Sequence, residues 1–423
     1  MPTIPDTPQK KPPQEKRPLS WPHISLLFFL YFSQGLPFGF QATALPIYLR
    51  KEGVSLTAIG FTGLLALPWM IKPLFAPFVD RYYSKRFGRR RSWIVPMQSG
   101  LLLSALFASM IIDHAPITVL LISIFTMNFF SAIQDIAVDG LAVDLLSEKE
   151  LGPGNAAQVI GYKAGMVVSG GLLVFLTSRI GWQGMFTTMT LLILCPLLSV
   201  LLFREPSTPE RFHRETPHFR EILSQGLSIF KGAHACWLLL FIATYKTGEL
   251  MIDVMFKPFL VDAGFTPSAI GLWVGTYGMA ASIAGSFTGG LLSKRYAILS
   301  MLGLSLGVRA IPLGFEYMLS LSTPSAAQVI GVTLLEHFAG GMLTTLMFAF
   351  MMAQVNRSIG ATHYTILAAV EVMGKSPGAW MAGPLAELFG YSAVFLTGVG
   401  LSLLPLPILF KLRRKERKRM TGF

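Results

Sequence analysis

The sequence predicts an all-α membrane protein of 12 transmembrane helices, arranged as two six-helix bundles related by a pseudo-twofold axis. Three observations carry this expectation. Only 13% of the 423 residues are charged, against roughly 25% in soluble proteins, and mean hydropathy is +0.56. Apolar runs recur along the chain at about the 20-residue length that crosses a hydrocarbon core. An eight-residue motif also appears twice, half a chain apart.

Residues 1–22 are polar and rich in Pro and Lys, the composition of a disordered tail. The apolar run behind them is too long for the core of a cleavable signal, although Ala42-Thr43-Ala44 mimics a cleavage site. The first bundle is expected over 23–203, with helices near 24–49, 56–79, 93–112, 117–143, 155–178 and 183–203. Residues 204–235 are charged and contain Pro206, Pro209 and Pro217, so they read as a hydrophilic central loop. The second bundle follows over 236–412, with helices near 236–260, 268–292, 297–321, 328–355, 361–386 and 391–412; 413–423 form a basic tail. Prolines such as Pro37, Pro68, Pro258 and Pro377 fall within helices, where neighbours can re-satisfy the freed backbone groups. The Gly-Gly pairs at 170–171, 289–290 and 340–341 suit close helix packing.

The repeat joins "GVSLTAIG" at 53–60 to "GFTPSAIG" at 264–271, an offset of 211, each opening the second helix of its half. Duplication of a six-helix unit about a central loop is the architecture of secondary transporters. Alternating the helices from a cytoplasmic N-terminus puts 26 Lys and Arg inside and only Arg50, Lys51 and Arg179 outside. That bias sets both termini in the cytoplasm, with the plasma or inner membrane as the expected location. It also accounts for the net charge of +13, leaving no call for a nucleic-acid partner.

Enzyme chemistry is not expected. Cys195 and Cys236 have no metal or redox spacing, the seven His form no ligand pattern, and no nucleophile motif is present. "GPGNAAQVIG" lacks phosphate-loop spacing, which disfavours ATP-driven transport. No cofactor or metal is expected. The expected partners are the lipid bilayer, a small-molecule substrate and, as a candidate coupling ion, the proton; the chain is expected to act as a monomer.

An ionisable residue in a spanning helix costs about 2.5 kcal/mol or more at the centre, so it faces a cavity or a partner. Lys246, Glu249, Asp253 and Lys257 fall in one sector of helix 7. Glu371 and Lys375 are an i,i+4 pair in helix 11, Arg309 and Glu316 lie two turns apart in helix 9, and Glu336 precedes His337 in helix 10. Tyr162 and Lys163 lie in helix 5. Asp135 and Asp139 share a face of helix 4, where they either form salt bridges, with the basic loop at 81–91 as one partner, or bind substrate or proton; Asp144 points away, at the membrane boundary. Lys163, Lys246, Arg309 and Lys375 could meet an anionic cargo or be neutralised by helix acids, which are available for all four. Tyr31, Gln34 and Tyr245 could add hydrogen bonds or stacking. Glu249, Asp253, Glu336 and Glu371 are the candidate proton carriers.

"DRYYSKRFGRRR" at 80–91 resembles the helix 2–3 signature of the major facilitator superfamily, with a longer spacer. The resemblance implies a cytoplasmic latch on the outward-open state, made here by Asp80, Arg81, Gly88, Arg89 and Arg90. "LPWMIKPLFAPFVDR" (67–81), "QDIAVDGLAVDLL" (134–146), "ELGPGNAAQVIGYKAG" (150–165) and "TYKTGE" (244–249) are similar to the branch holding the AmpG-type muropeptide permeases and the acetyl-coenzyme A transporters. "EHFAGGMLTT" (336–345) and "ATHYTILAAVEVMGK" (361–375) look closest to animal members of the type called major facilitator superfamily domain-containing protein 3. The resemblance implies alternating access, with acetyl-coenzyme A or a related conjugate as first substrate and an anhydro-muropeptide, moved with protons, as second. A channel, or a non-transporting scaffold or enzyme, is the rival from another class.

Overall fold

The computed structural model describes residues 21–84, 86–146, 150–205, 233–354 and 360–420. The expected N-terminal tail and almost all of the central loop lie outside them. Every regular element among the described residues is helical. Among the described residues, nine helical runs are long and apolar enough to cross a membrane.

The first run, Trp21–Lys51, is α1. α2 covers 56–81 and is interrupted by a 3-10 turn at Thr62–Ala66. α3 is Arg91–Ile111 and α4 is Ile117–Leu145. α5 (151–180) passes through a π turn at Val168–Leu172, and α6 (182–202) follows directly. α7 consists of Ala233–Thr244 and Thr247–Asp262, offset at Tyr245-Lys246. α8 (267–295) carries a π segment at Gly271–Gly278. α9 is Ile298–Leu319 and α10 is Ala326–Ala353. α11 (360–389) and α12 (391–403, continued by Pro405–Met420) complete the chain.

Two of the nine runs, Ala156–Leu202 and Ile366–Arg414, are 47 and 49 residues long. At 1.5 Å per residue each is about twice the span of a bilayer core. Each breaks at one glycine: Gly181 (φ 69°, ψ 177°) and Gly390 (φ 82°, ψ 169°). That backbone region is essentially reserved for glycine.

The sequence repeat has the same physical role in both halves. Gly53 and Gly264 each take a positive φ, at 77° and 90°. Two residues on, Ser55 accepts a hydrogen bond from the Ala58 amide, and Thr266 accepts one from the Ala269 amide, each at 3.2 Å. Both hydroxyls cap the helix that follows. Packing repeats as well. α1 lies on α5 as α7 lies on α11, α2 on α4 as α8 on α10, and α3 on α4 as α9 on α10.

The two bundles meet at one end. Residues 45–66 and 168–180 of the first bundle pack on 247–278 and 379–391 of the second. A Cβ on Gly275 would stand 2.1 Å from the Gly170 carbonyl oxygen, so α5 and α8 touch backbone to backbone. This end is opposite the loop at 82–90.

Candidate functional site

A cavity of about 320 Å³ lies between the bundles. Its two walls differ. The first bundle contributes Phe38, Thr43 and Met166, with the Tyr162 ring behind Phe38 at 5.8 Å and Trp69 beyond it at 6.5 Å. The second contributes the charged groups Lys246, Glu249, Asp253, Lys257, Glu336 and Lys375, with His337 and Ser282.

The charged wall is closely paired, as the low-dielectric surroundings require. Arg309, only 2% exposed, donates from Nε to Glu249 Oε2 at 3.1 Å. Its other nitrogens reach the carboxylate and main-chain carbonyl of Glu336, and His337 Nδ1 meets the second Glu336 oxygen. Lys246 Nζ lies 3.4 Å from Glu249 Oε1. Glu249 therefore serves two cations. Lys257 binds the Asp253 side chain and donates to its carbonyl at 2.9 Å. Lys375 donates to both oxygens of Glu371 at 2.9 and 3.1 Å, and the Tyr245 hydroxyl reaches Glu371 Oε1 at 3.1 Å. Arg309, Glu371 and Tyr245 thus stand behind the cavity wall. Glu316 is buried near Arg309, and its Oε2 has no hydrogen-bond partner among the described residues.

The helix 4 aspartates differ from one of the two expectations. Their partner is Lys72 of α2, not the basic loop. Lys72 Nζ contacts Asp135 and lies 3.6 Å from Asp139. Tyr31 donates to Asp139 at 2.7 Å, and Gln158 does so at 3.3 Å. Asp144 is the residue that meets the loop, accepting from Arg90 Nε at 2.8 Å. The reason is axial position. Asp144 is about two and a half turns nearer the 82–90 end than Asp135, and Lys72 sits about two and a half turns inside the end of α2, level with Asp135. Lys72 is the residue missed at the sequence level. Gln34 is fully buried, with neither amide atom hydrogen-bonded among the described residues. Tyr31, Asp135 and Asp139 form a cluster around Lys72 inside the first bundle, and neither they nor Gln34 line the cavity.

Of the two alternatives for Lys163, an anionic cargo or a helix acid, the second finds no partner: Lys163 has no carboxylate within ion-pair distance among the described residues. Its Nζ donates instead to Ser286 Oγ of α8, across the bundles, at 3.1 Å. Lys163 is about one turn from Met166, and Ser286 about one turn from Ser282, so this contact borders the cavity on the side of the 82–90 loop.

In the loop, the Asp80 side chain lies outside the described residues. Arg81 is exposed and sits 5.8 Å from the Tyr82 ring centroid. The main-chain amides of Arg90 and Arg91 donate to Glu205 at 3.0–3.1 Å, beside Gly88 and half-buried Arg89. These contacts stay within the first bundle. The opposite end is tied across bundles: Arg50 makes a two-pronged pair with Asp262, both bonds 2.6 Å, and Tyr391 also donates to Asp262 at 2.6 Å. Beside it, the Thr57 amide and hydroxyl donate to Glu387 Oε2 at 3.1 and 2.5 Å. No group of three or more His, Cys, Asp or Glu among the described residues could hold a metal ion.

The family model described as acetyl-coenzyme A transporter 1 matches residues 23–182. The anhydromuropeptide permease of Escherichia coli (strain K12) is 30% identical over 400 residues, covering 93% of this chain and 80% of that one. A putative transporter AmpG 4 of Rickettsia felis is 25% identical, covering 92% and 96%. Among solved structures, the nucleoside transporter NupG superposes with a TM-score of 0.72 at 13% identity, over 92% of this chain and 98% of that one. A bacterial homologue of the lysosomal transporter Spinster, inward-facing and occupied, superposes at 0.71 with 17% identity, over 93% and 96%. At these identities the solved structures establish the fold, that of the major facilitator superfamily.

Proposed function

Because the chain belongs to the AmpG/acetyl-coenzyme A transporter family of the major facilitator superfamily, and so is a multi-pass secondary transporter, we propose that its cargo is an anionic sugar–peptide conjugate of the anhydro-muropeptide class. Counted through the breaks at Gly181 and Gly390 and including α8, our reading is 12 crossings in two six-helix bundles, with both termini and the 82–90 loop in the cytoplasm. The described conformation is then open inward and tied shut outside, one of the two end states of alternating access.

One observation supports the cargo class best. One cavity presents the Phe38 ring and Met166 from the first bundle and a charged wall from the second. The Phe38 ring, backed by Tyr162, suits the apolar face of a sugar ring. Paired ions of both signs, with spare donors on the Lys246 side, suit a peptide bearing amides and carboxylates. The E. coli relative, whose name states such a cargo, aligns over 93% of this chain.

A second reading, acetyl-coenzyme A, is favoured by the family model over 23–182 and by the segments resembling the animal members. Phosphates would then take the place of carboxylates. Proton coupling belongs to the same proposal: Glu249, Asp253, Glu336 and Glu371 remain its candidate carriers, and Asp135 and Asp139 stand beside Lys72 as a further acidic site.

The test is uptake into proteoliposomes of a radiolabelled anhydro-muropeptide and, separately, of acetyl-coenzyme A, with and without an imposed pH gradient. Saturable muropeptide uptake stimulated by counterflow is expected, and its acceleration by the gradient would support coupling. Uptake of acetyl-coenzyme A alone would replace the first cargo by the second. Uptake of neither would remove both, and uptake unchanged by collapsing the gradient would remove the proton.

A further inference from the structure

We propose that Lys163 and Lys246 form an anion clamp spanning the two bundles, closed by a carboxylate or phosphate group of the cargo. This rests on the transporter reading above. Lys163 belongs to α5 of the first bundle and Lys246 to the bend in α7 of the second. Lys246 lines the cavity, and its charge acts on Lys163. Four other cations set well inside the spanning helices, away from their ends, rest on carboxylates: Lys72 on Asp135, Lys257 on Asp253, Arg309 on Glu249 and Glu336, Lys375 on Glu371. Lys163 has the neutral Ser286 hydroxyl, itself 3.3 Å from the Gly341 carbonyl oxygen. Lys246 has a carboxylate that it shares with Arg309.

A cation at this depth without a counter-ion is costly, and a second cation nearby adds to the cost. An anion placed between the two lysines removes both penalties. Such an anion would be held from both bundles at once, by one amine on each. A ligand shifts a conformational equilibrium only by binding the two states unequally. The two lysines ride on different rigid bodies, so their separation is a quantity that opening the outer end changes. The charged group of the cargo is then what connects occupancy to movement, while Phe38 and Met166 meet the uncharged part.

The test is binding to the full chain, purified in detergent, of two matched pairs of probes. One pair is a 1,6-anhydro-muramyl peptide with free carboxylates and the same peptide with every carboxylate amidated. The other is acetyl-coenzyme A and uncharged S-acetylpantetheine. Charge-assisted hydrogen bonds contribute about 1.5–3 kcal/mol, so the wild type should prefer the charged member of the pair it binds by about 10- to 100-fold. Lys163→Gln should reduce that preference to about threefold or less while leaving the affinity for the uncharged member unchanged; Lys163→Arg should retain it. Lys246→Gln should act as Lys163→Gln does, which provides a second variant if one fails to fold.

Preference for the charged thioester with no binding of either muropeptide would overturn the muropeptide reading and support the clamp. Muropeptide binding without charge preference would overturn the clamp alone. Equal charge preference in wild type and Lys163→Gln, or binding of no member of either pair by the wild type, would also overturn it.

Discussion

Replacing Asp262 by Asn should loosen the end at which the bundles now meet. Arg50 and Asp262 face each other from the ends of α1 and α7, and their side chains are 26% and 33% exposed. Water screens the pair, which places it among surface interactions, typically up to about 1 kcal/mol. The two-pronged geometry and 2.6 Å bonds put it at the strong end of that class, so loss of the charge should cost the closed end about 1 kcal/mol. The Tyr391 bond survives, because the Asn carbonyl can still accept it. A change of about 1.4 kcal/mol is a factor of ten, so the ratio of molecules closed at this end to molecules open there should fall about fivefold. Spin labels on Glu52→Cys and Ala263→Cys, with Cys195 and Cys236 replaced by Ser, report the separation across this end by pulsed electron resonance. A second, longer distance population should grow in Asp262→Asn and not in Asp113→Asn, an exposed acid on the same end that ties nothing across the bundles. An unchanged distance distribution would show that the closed end is held by helix packing alone.

Other perturbations follow from the same contacts. Gly275→Val should abolish uptake, since a side chain there collides with the Gly170 carbonyl and prevents closure of the outer end; proteoliposome uptake reads this directly. Lys72→Met should lower stability by about 3 kcal/mol by leaving two carboxylates without their cation. Thermal denaturation in detergent should show several degrees of loss, with partial recovery in Lys72→Met/Asp135→Asn, and a cycle without coupling would refute the pairing. Glu205→Ala should cost about 1 kcal/mol, because two amides at the start of α3 lose their acceptor, measurable as a lowered Tm without loss of cargo affinity.

Which parts of this molecule are legible in its sequence follows from the range of the signal. Helix positions come from runs of apolar residues, and the hairpin at Gly53–Ser55 recurs at Gly264–Thr266 because the same turn chemistry is written twice. The Glu371–Lys375 and Asp253–Lys257 pairs sit at i,i+4 and can be found by counting along one helix. Lys72 and Asp135 are 63 residues apart, and Arg309 and Glu249 are 60. No spacing rule reaches that far, so the expected alternatives for the helix 4 aspartates omitted their actual partner. Of the two alternatives open for Lys163, counting along the chain cannot choose, because which acids a folded bundle commits to other cations, as Glu249 to Arg309 and Asp135 to Lys72, is a long-range matter. Continuity was misjudged in the other direction: α5–α6 and α11–α12 were separated by several residues in the sequence reading, whereas one glycine suffices for each turn.

Those two single-residue turns bear on how the protein can be approached at the end where the bundles meet. Gly181 and Gly390 turn the chain at the end away from the 82–90 loop, with no intervening loop. The other connections at that end are equally terse, at 52–55, 112–116, 263–266 and 320–325. A protease or an antibody approaching from that side would meet almost no accessible polypeptide. Binders meant to trap one state should therefore be raised against the opposite face, and epitope tags inserted there.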